Sequence, residues 1–208
     1  MKGALVEFAS SFGASTPNLI VFQFNPETLR HTWIQPEAAP GGHPLAVRGA
    51  PGETFAFTLA MDVTDQIIDG NALAQADGRL NGIYARLAAL EKLMFPVPVT
   101  PAGSDRAVPA LQLATVLFVW GPGRILPVRV SSLTITETLF DPLLNPTHAD
   151  AQLELKVLTP AELDAATGPL KRIAQAAYDY TTAKRDLFAA ANLNNAAGSF
   201  DLPPLPGP

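Results

Sequence analysis

Apolar and polar residues alternate with a two-residue period along much of this chain, and the rest is arranged around Leu19-Ile20-Val21-Phe22-Gln23-Phe24, which runs straight into Asn25-Pro26-Glu27-Thr28. Ile20, Phe22 and Phe24 share one face and Leu19, Val21 and Gln23 the other, so both faces are mostly apolar and the pattern predicts a central strand covered on both sides. Pro26 biases Asn25 toward extended backbone and suits the second position of a type I turn; Leu29, His31 and Trp33 then alternate again. The unit reads as strand, turn, strand.

Gly3 to Phe12 reads as a short first strand, followed by a turn-former loop over 13–18. Gln35 to Gly52 holds four prolines and four glycines in eighteen residues. A stretch of that kind predicts a long irregular loop, with contacts to other subunits as its expected use. Glu53 to Val63 alternates strictly, Phe55, Phe57, Leu59 and Met61 opposing Thr54, Ala56, Thr58 and Ala60, which marks a strand with one buried face. The segment up to Gly78 reads as loop-like or briefly helical. Ile83, Leu87, Leu90 and Met94 fall at helical spacing and predict a helix over 80–94, closed by Phe95-Pro96. After a loop over 100–109, 110–120 and 124–140 form a long hairpin about Gly121-Pro122-Gly123, with a bend expected near Pro127 and Ser131-Ser132. Ala151 to Leu158 supplies the last strand. The expected core residues are Phe22, Phe24, Phe57, Leu59 and Leu155; alanine at Phe24 would then cost about 3–5 kcal/mol.

Thr159-Pro160-Ala161-Glu162 carries a helix-start signature, and a second helix over 170–192 would present Ile173, Ala177, Tyr180, Lys184 and Phe188 on one face. The tail 199–208 is a proline-rich extended arm whose Phe200, Leu202 and Leu205 are expected to dock on a neighbouring subunit. The chain thus divides into 1–159, a β domain; 160–198, a helical extension; and 199–208, the arm.

Composition narrows the function classes. Hydrophobic residues make up 48% of 208, enough for a substantial core, and there is no cysteine for a disulfide or thiolate metal site. A formal charge of −5 without a Lys/Arg cluster argues against a nucleic-acid surface. No stretch approaches the roughly 20 apolar residues of a membrane span, and the N-terminus reaches Glu7 before any signal-like apolar run. His31, His43 and His148 lie apart with no metal-ligand spacing, and read as turn and surface histidines. Asp62, Asp65 and Asp69 cluster at a strand end but show no cleft partner; solvated loop acids are the simpler reading. The serines lack a nucleophile-elbow setting and the glycine pairs lack the spacing of a phosphate loop. No catalytic residue, cofactor or metal is assigned. Trp120, with Pro122 and Arg124 at the hairpin tip, is either an exposed contact anchor or a ring folded back on the core. Pro40 and His43 in the long loop are further interaction candidates.

Four phrases occur in a telling order: Gln23-Phe24-Asn25-Pro26, Phe55-Ala56-Phe57-Thr58-Leu59-Ala60-Met61-Asp62, Leu90-Glu91-Lys92-Leu93-Met94 closing a helix, and Val119-Trp120-Gly121 at a hairpin. Their order resembles the tube-type domain of contractile injection systems, in particular the tube-to-spike adaptor of the inner baseplate in phage-tail-like particles, over roughly Lys2 to Thr159. The resemblance implies a mainly β, α+β fold: a phage-tail-tube-like barrel or sandwich flanked by one helix. It also implies a hexameric ring that joins tube to spike, with the tube protein, spike protein and other baseplate subunits as partners. Assembly would take place in the bacterial cytoplasm. Many relatives continue into a LysM domain, whereas residues 160–208 offer a helix and a proline arm. The alternatives are a cell-envelope or carbohydrate-binding β module, and a hydrolase using Asp62, Asp65 or a histidine.

Overall fold

The computed structural model describes residues 1–8, 18–38, 41, 43, 45–69, 71–99, 110–166 and 171–197. It is a mixed α+β fold with an antiparallel seven-stranded sheet and five helices. The strands are β1 (Ala4–Phe8), β2 (Asn18–Val21), β3 (Arg30–Ile34), β4 (Gly52–Asp62), β7 (Thr115–Val119), β8 (Ile125–Phe140) and β9 (Pro146–Val157), in the order β2-β1-β7-β8-β9-β4-β3. A separate pair joins β5 (Val97–Val99) to β6 (Ala110–Gln112). Three helices, α1 (Val63–Asp69), α2 (Ala72–Asn81) and α3 (Tyr84–Lys92), follow β4 directly; α4 (Pro160–Ala165) and α5 (Lys171–Ala197) follow β9.

The alternation of β4 is realised residue for residue. Phe55, Phe57, Leu59 and Met61 are buried, and their register partners Leu155, Leu153, Ala151 and Ala149 on β9 are buried with them. On β7, Phe118 stands opposite Leu5 of β1 and its ring lies 5.3 Å from Phe55, 5.6 Å from Phe57 and 6.0 Å from Trp120, centroid to centroid. Phe22 extends the cluster to Phe57 at 5.5 Å and Trp120 at 6.4 Å. Offset and tilted pairs of this kind add to what burial alone supplies. Gly3 is needed here: a Cβ at that position would meet the Phe22 and Trp120 rings at 2.7–2.9 Å.

Because Phe22 at one margin of the sheet touches Phe57 near the other, the sheet is strongly curled. The seam between the margins is bridged by a side chain instead of a strand: Gln23 Nε2 donates to the Asp62 carbonyl at 2.7 Å, and Asp62 N donates to Gln23 Oε1 at 3.1 Å. Asn25 ties the same corner to the N-terminus, accepting from Gly3 N at 2.8 Å and donating to the Met1 carbonyl at 3.0 Å. Helices α1–α3 fill one end of the curl, and Ile83, Leu87, Leu90 and Leu93 join the core.

Several expectations change. The stretch 19–24 is not a central strand: β2 has four residues and, among the described residues, pairs with β1 alone. Its Leu19 is 58% exposed. Beyond Val21 the chain leaves the pleat, so Phe22 and Gln23 are buried in succession and Phe24 turns out, 43% exposed, instead of joining the core. The expected single flanking helix is three helices. Asp62 Oδ1 accepts from Thr64 N at 2.6 Å and Asn71 Oδ1 from Ala74 N at 3.0 Å, so residues read as loop punctuation are caps. The helix expected over 80–94 begins at Tyr84, because Gly82 at φ 61° breaks the chain after α2, and Leu93 takes the buried place expected of Met94. The strand expected over 110–120 is two pieces, β6 and β7, in different sheets. The bend near Ser131-Ser132 is present as a register shift between Val130 and Ser132. The Thr159 capping box is complete: Thr159 Oγ1 accepts from Glu162 N, and the Glu162 carboxylate accepts from Thr159 N at 2.8 Å.

Candidate functional site

Three surfaces stand out, and the first is built around the β7–β8 hairpin. Trp120, Pro122 and Arg124 are brought together there, but against the chain's own α5. Tyr180 Oη donates to the Pro122 carbonyl at 2.6 Å. Thr181, fully buried, accepts from Ile125 N at 3.0 Å and donates to Ile125 O at 2.6 Å. Trp120 packs back on the core, stacked on Phe118. Of the two readings of Trp120, the folded-back ring is the one realised, partly buried against the cluster around Phe22.

The buried face of α5 shares Ala177 alone with the expected set of Ile173, Ala177, Tyr180, Lys184 and Phe188 among the described residues. Ala174, Ala177 and Thr181 are buried, with Tyr178 against the core and Arg185 beyond them, whereas Ile173, Tyr180 and Phe188 are exposed. Small side chains let the helix lie close to the hairpin, and the contact is completed by polar groups rather than large apolar ones. At its far end sits Glu53, 3% exposed at the start of β4. Its carboxylate bonds to His31 Nε2 at 2.8 Å and to Arg185 Nη2. The Arg185 guanidinium lies 4.7 Å from the Trp33 ring centroid and that of Arg124 5.2 Å from the Phe55 centroid. A buried carboxylate needs such partners, since an uncompensated charge there would cost several kcal/mol. His31 stacks on Phe55 at 4.3 Å, and Glu53, His31 and Arg185 together join β3, β4 and α5.

Burial outweighs the Glu53 partnership and holds the His31 pKa below its ordinary 6.5, with Arg124 and Arg185 pushing the same way. The unfolded chain therefore takes up this proton first as pH falls, and stability declines from pH 6.5 downward until the folded imidazole protonates too. Asp62, Asp141 and Glu162 are shifted below their ordinary 3.8, 3.8 and 4.5, so the stability they contribute is lost only at more acid pH. His31→Gln is expected to flatten the fall in melting temperature as pH drops below about 6.5, the upper bound being set by the His31 reference value. Parallel curves for wild type and variant would show that His31 does not set the slope.

The second surface is the outer face of β4, β9 and β8, overhung by residues 24–30. It forms an open groove of about 960 Å³ whose floor is small and polar: Ala56, Thr58, Ala60, Thr134, Gln152 and Glu154. Arg30 and Asp150 contribute charges of both signs.

The third surface is an unfinished edge. β7 pairs with β8 only over Ile125 to Val128, so from Val130 to Phe140 β8 has a strand partner on the β9 side alone among the described residues. That segment, Ser131-Ser132-Leu133-Thr134-Ile135-Thr136-Glu137-Thr138-Leu139-Phe140, carries one charge and no proline. It lacks the lysines and prolines that usually blunt a free edge. The edge ends in a tight connection to β9 in which Asp141 accepts from Leu143 N and Asn145 N, both at 2.8 Å, and from Asn145 Nδ2 at 2.9 Å. These bonds, the Asn145 side chain foremost, hold the Asp141 carboxyl below its usual range.

His43 is a described, exposed turn residue whose Nδ1 accepts from Leu45 N at 3.2 Å. Pro40 and the arm residues Phe200, Leu202 and Leu205 lie outside the described residues. Asp62, a candidate acid of the hydrolase alternative, spends one oxygen on the Thr64 cap and lies 3.4 Å from His148 Nδ1 with the other. Hydrogen bonding from Thr64 is the largest cause holding its carboxyl low. Among the described residues no three His, Asp or Glu side chains converge to hold a metal, and no helix is long and apolar enough to cross a membrane. A scan of protein-family models finds none that matches this chain, and no curated protein matches it in sequence.

Proposed function

We propose that this chain is a structural, ring-forming subunit of a contractile injection particle, of the tube-type class that joins the inner tube to the spike. The observation that carries the reading is the ten-residue free edge of β8, together with the β2 and β3 margins of the sheet. Among the described residues the seven-stranded sheet leaves these three edges without a strand partner, with Leu19, Val21, Trp33 and Ile34 exposed along two of them, so backbone groups are ready to extend the sheet into a neighbour. The small, polar outer face of β4, β9 and β8 suits the lining of a conduit, where bulky or sticky side chains would obstruct passage. The Gln23 and Asn25 side chains of the resemblance have structural work at the seam, which accounts for a Gln-Phe-Asn-Pro phrase at this place.

One observation favours a second reading. Phe24 is exposed at the rim of the polar groove beside Asp150, Gln152 and Glu154, an aromatic next to hydrogen-bonding groups as a sugar-binding face would have. Native mass separates the two. A ring-former is expected to run at a multiple of 22.0 kDa, six copies for a hexamer, or to pellet with its tube partner. A strictly monomeric protein that binds immobilised glycans would replace the structural reading with the carbohydrate one.

A further inference from the structure

Among the described residues, one guanidinium beside Glu53 has no acceptor: Arg124 is half-buried, yet its side chain forms neither a hydrogen bond nor an ion pair. Its place is set by the hairpin. Thr181 holds both backbone groups of Ile125, so the adjoining Arg124 is fixed against α5, and Arg185, one turn further along that helix, is carried to the same corner. Arg185 binds the Glu53 carboxylate and lies 4.7 Å from the Trp33 centroid, while Arg124 lies 5.2 Å from the centroid of Phe55, the ring on which His31 stacks. Glu53 is thus taken up by His31 and Arg185, and the five donors of Arg124 stay unused.

The charges at this corner do not balance. Glu53, 3% exposed, supplies one negative charge and the two guanidiniums supply two positive ones, while His31 is neutral near neutral pH because burial holds its pKa below 6.5. Burial also pushes the Arg124 pKa down, and Arg185 adds to that push against the pull of Glu53. One positive charge is left over where water solvates it incompletely, a cost that one further anion removes. The planar fork of a guanidinium suits an acceptor with two oxygens side by side. A phosphate group would bring about −1.5 to −2 at pH 7 and overshoot beside buried Glu53, whereas a carboxylate restores neutrality. Trp33, 45% exposed, supplies an apolar wall beside the free donors.

We propose that Arg124 and Arg185 bind a carboxylate group at the corner between the β7–β8 hairpin and α5, with Trp33 as its apolar wall. The site goes beyond the ring-forming reading and does not depend on it. Two sources offer this chemistry: a small free carboxylate, and Asp201, the single charged side chain of 198–208, which stands between Phe200 and Leu202.

The test follows the melting temperature of the full chain as sodium propionate is titrated against sodium chloride at equal ionic strength. With a free carboxylate as ligand, propionate gives a saturable rise over chloride. The rise is kept in Lys184→Gln, whose cation lies over Tyr180 instead, and its midpoint weakens about tenfold or more in Arg124→Gln, as loss of a charged hydrogen-bonding partner does. Arg124→Lys, which keeps the charge and loses the fork, should fall between the two. With Asp201 as the occupant, wild type gives no rise, Asp201→Asn lowers the melting temperature and restores the rise, and Arg124→Gln makes Asp201→Asn silent. Propionate and chloride acting alike on both wild type and Asp201→Asn would overturn the proposal, as would a rise that survives intact in Arg124→Gln. The third overturning result is a propionate-free Asp201→Asn chain that melts several degrees lower once Arg124→Gln is added: Arg124 would then be a brace on Phe55, whereas a guanidinium awaiting an anion can be removed without loss.

Discussion

Phe118→Ala is expected to lower the unfolding free energy by about 3–5 kcal/mol, the range for fully buried phenylalanines truncated to alanine. Phe118 is 0% exposed and its ring is shared by Phe55 and Phe57 of β4 and by Trp120, which follows β7. None of those neighbours can move into the vacated space without abandoning another aromatic partner, so the cavity will not collapse cheaply. For a chain of this size the loss corresponds to a melting temperature lower by roughly 6–20 °C. Phe24→Ala supplies the contrast: exposed as it is, it should cost about 1 kcal/mol or less. Equilibrium denaturation of the two variants side by side checks both values. Equal midpoints would mean that the aromatic cluster is not the centre of the core.

Gly82→Ala is the second large effect. Gly82 has φ 61° and ψ −129°, and a Cβ there would stand 2.2 Å from the Pro146 carbonyl oxygen, which accepts the Ile83 N–H at 3.0 Å. A backbone region reserved for glycine costs about 1–3 kcal/mol, and displacing a packed backbone about 1–3 more. The expected loss is therefore about 2–6 kcal/mol. Gly49→Ala isolates the first contribution, because Gly49 has φ 107° with nothing within 4 Å of its hypothetical Cβ. Calorimetry of both variants should place Gly82→Ala well below Gly49→Ala; similar values would show that α2, α3 and the β9 start can slide apart freely.

What the sequence disclosed follows a physical divide. Phe55, Phe57, Leu59 and Met61 were legible because a strand buried on one face writes its burial as alternation, and the Thr159 capping box because its chemistry is local. Phe24 was misplaced because departure from the pleat after Val21 is driven by the Gln23 bridge to Asp62, thirty-nine residues away, which no local pattern encodes. Apart from Ala177, the buried side of α5 escaped because Ala174, Thr181 and Arg185 carry almost no hydrophobic contrast; the signal lay in the smallness of the residues, and large exposed Tyr180 and Phe188 pointed the wrong way. Glu53 was hidden for a related reason. A charged residue at a strand start reads as solvated unless its partners, here His31 on β3 and Arg185 on α5, are known to converge on it.

The pairing of β1 sets the order in which this protein can be made. Ala4 to Phe8 lie against β2 on one side, available as soon as the first few dozen residues are synthesised, but on the other side against Val119 to Thr115. More than a hundred residues must leave the ribosome before that second ladder can close, and loops of such length slow folding far more than they weaken the finished state. Throughout that interval the nascent chain displays Leu5 and Phe22, both buried in the end, on a two-stranded ribbon that is marginal by itself. Synthesis thus exposes sticky surface early and covers it late, so slower elongation through 22–115 is expected to lower the yield of correctly folded chain unless something shields the N-terminal hairpin meanwhile.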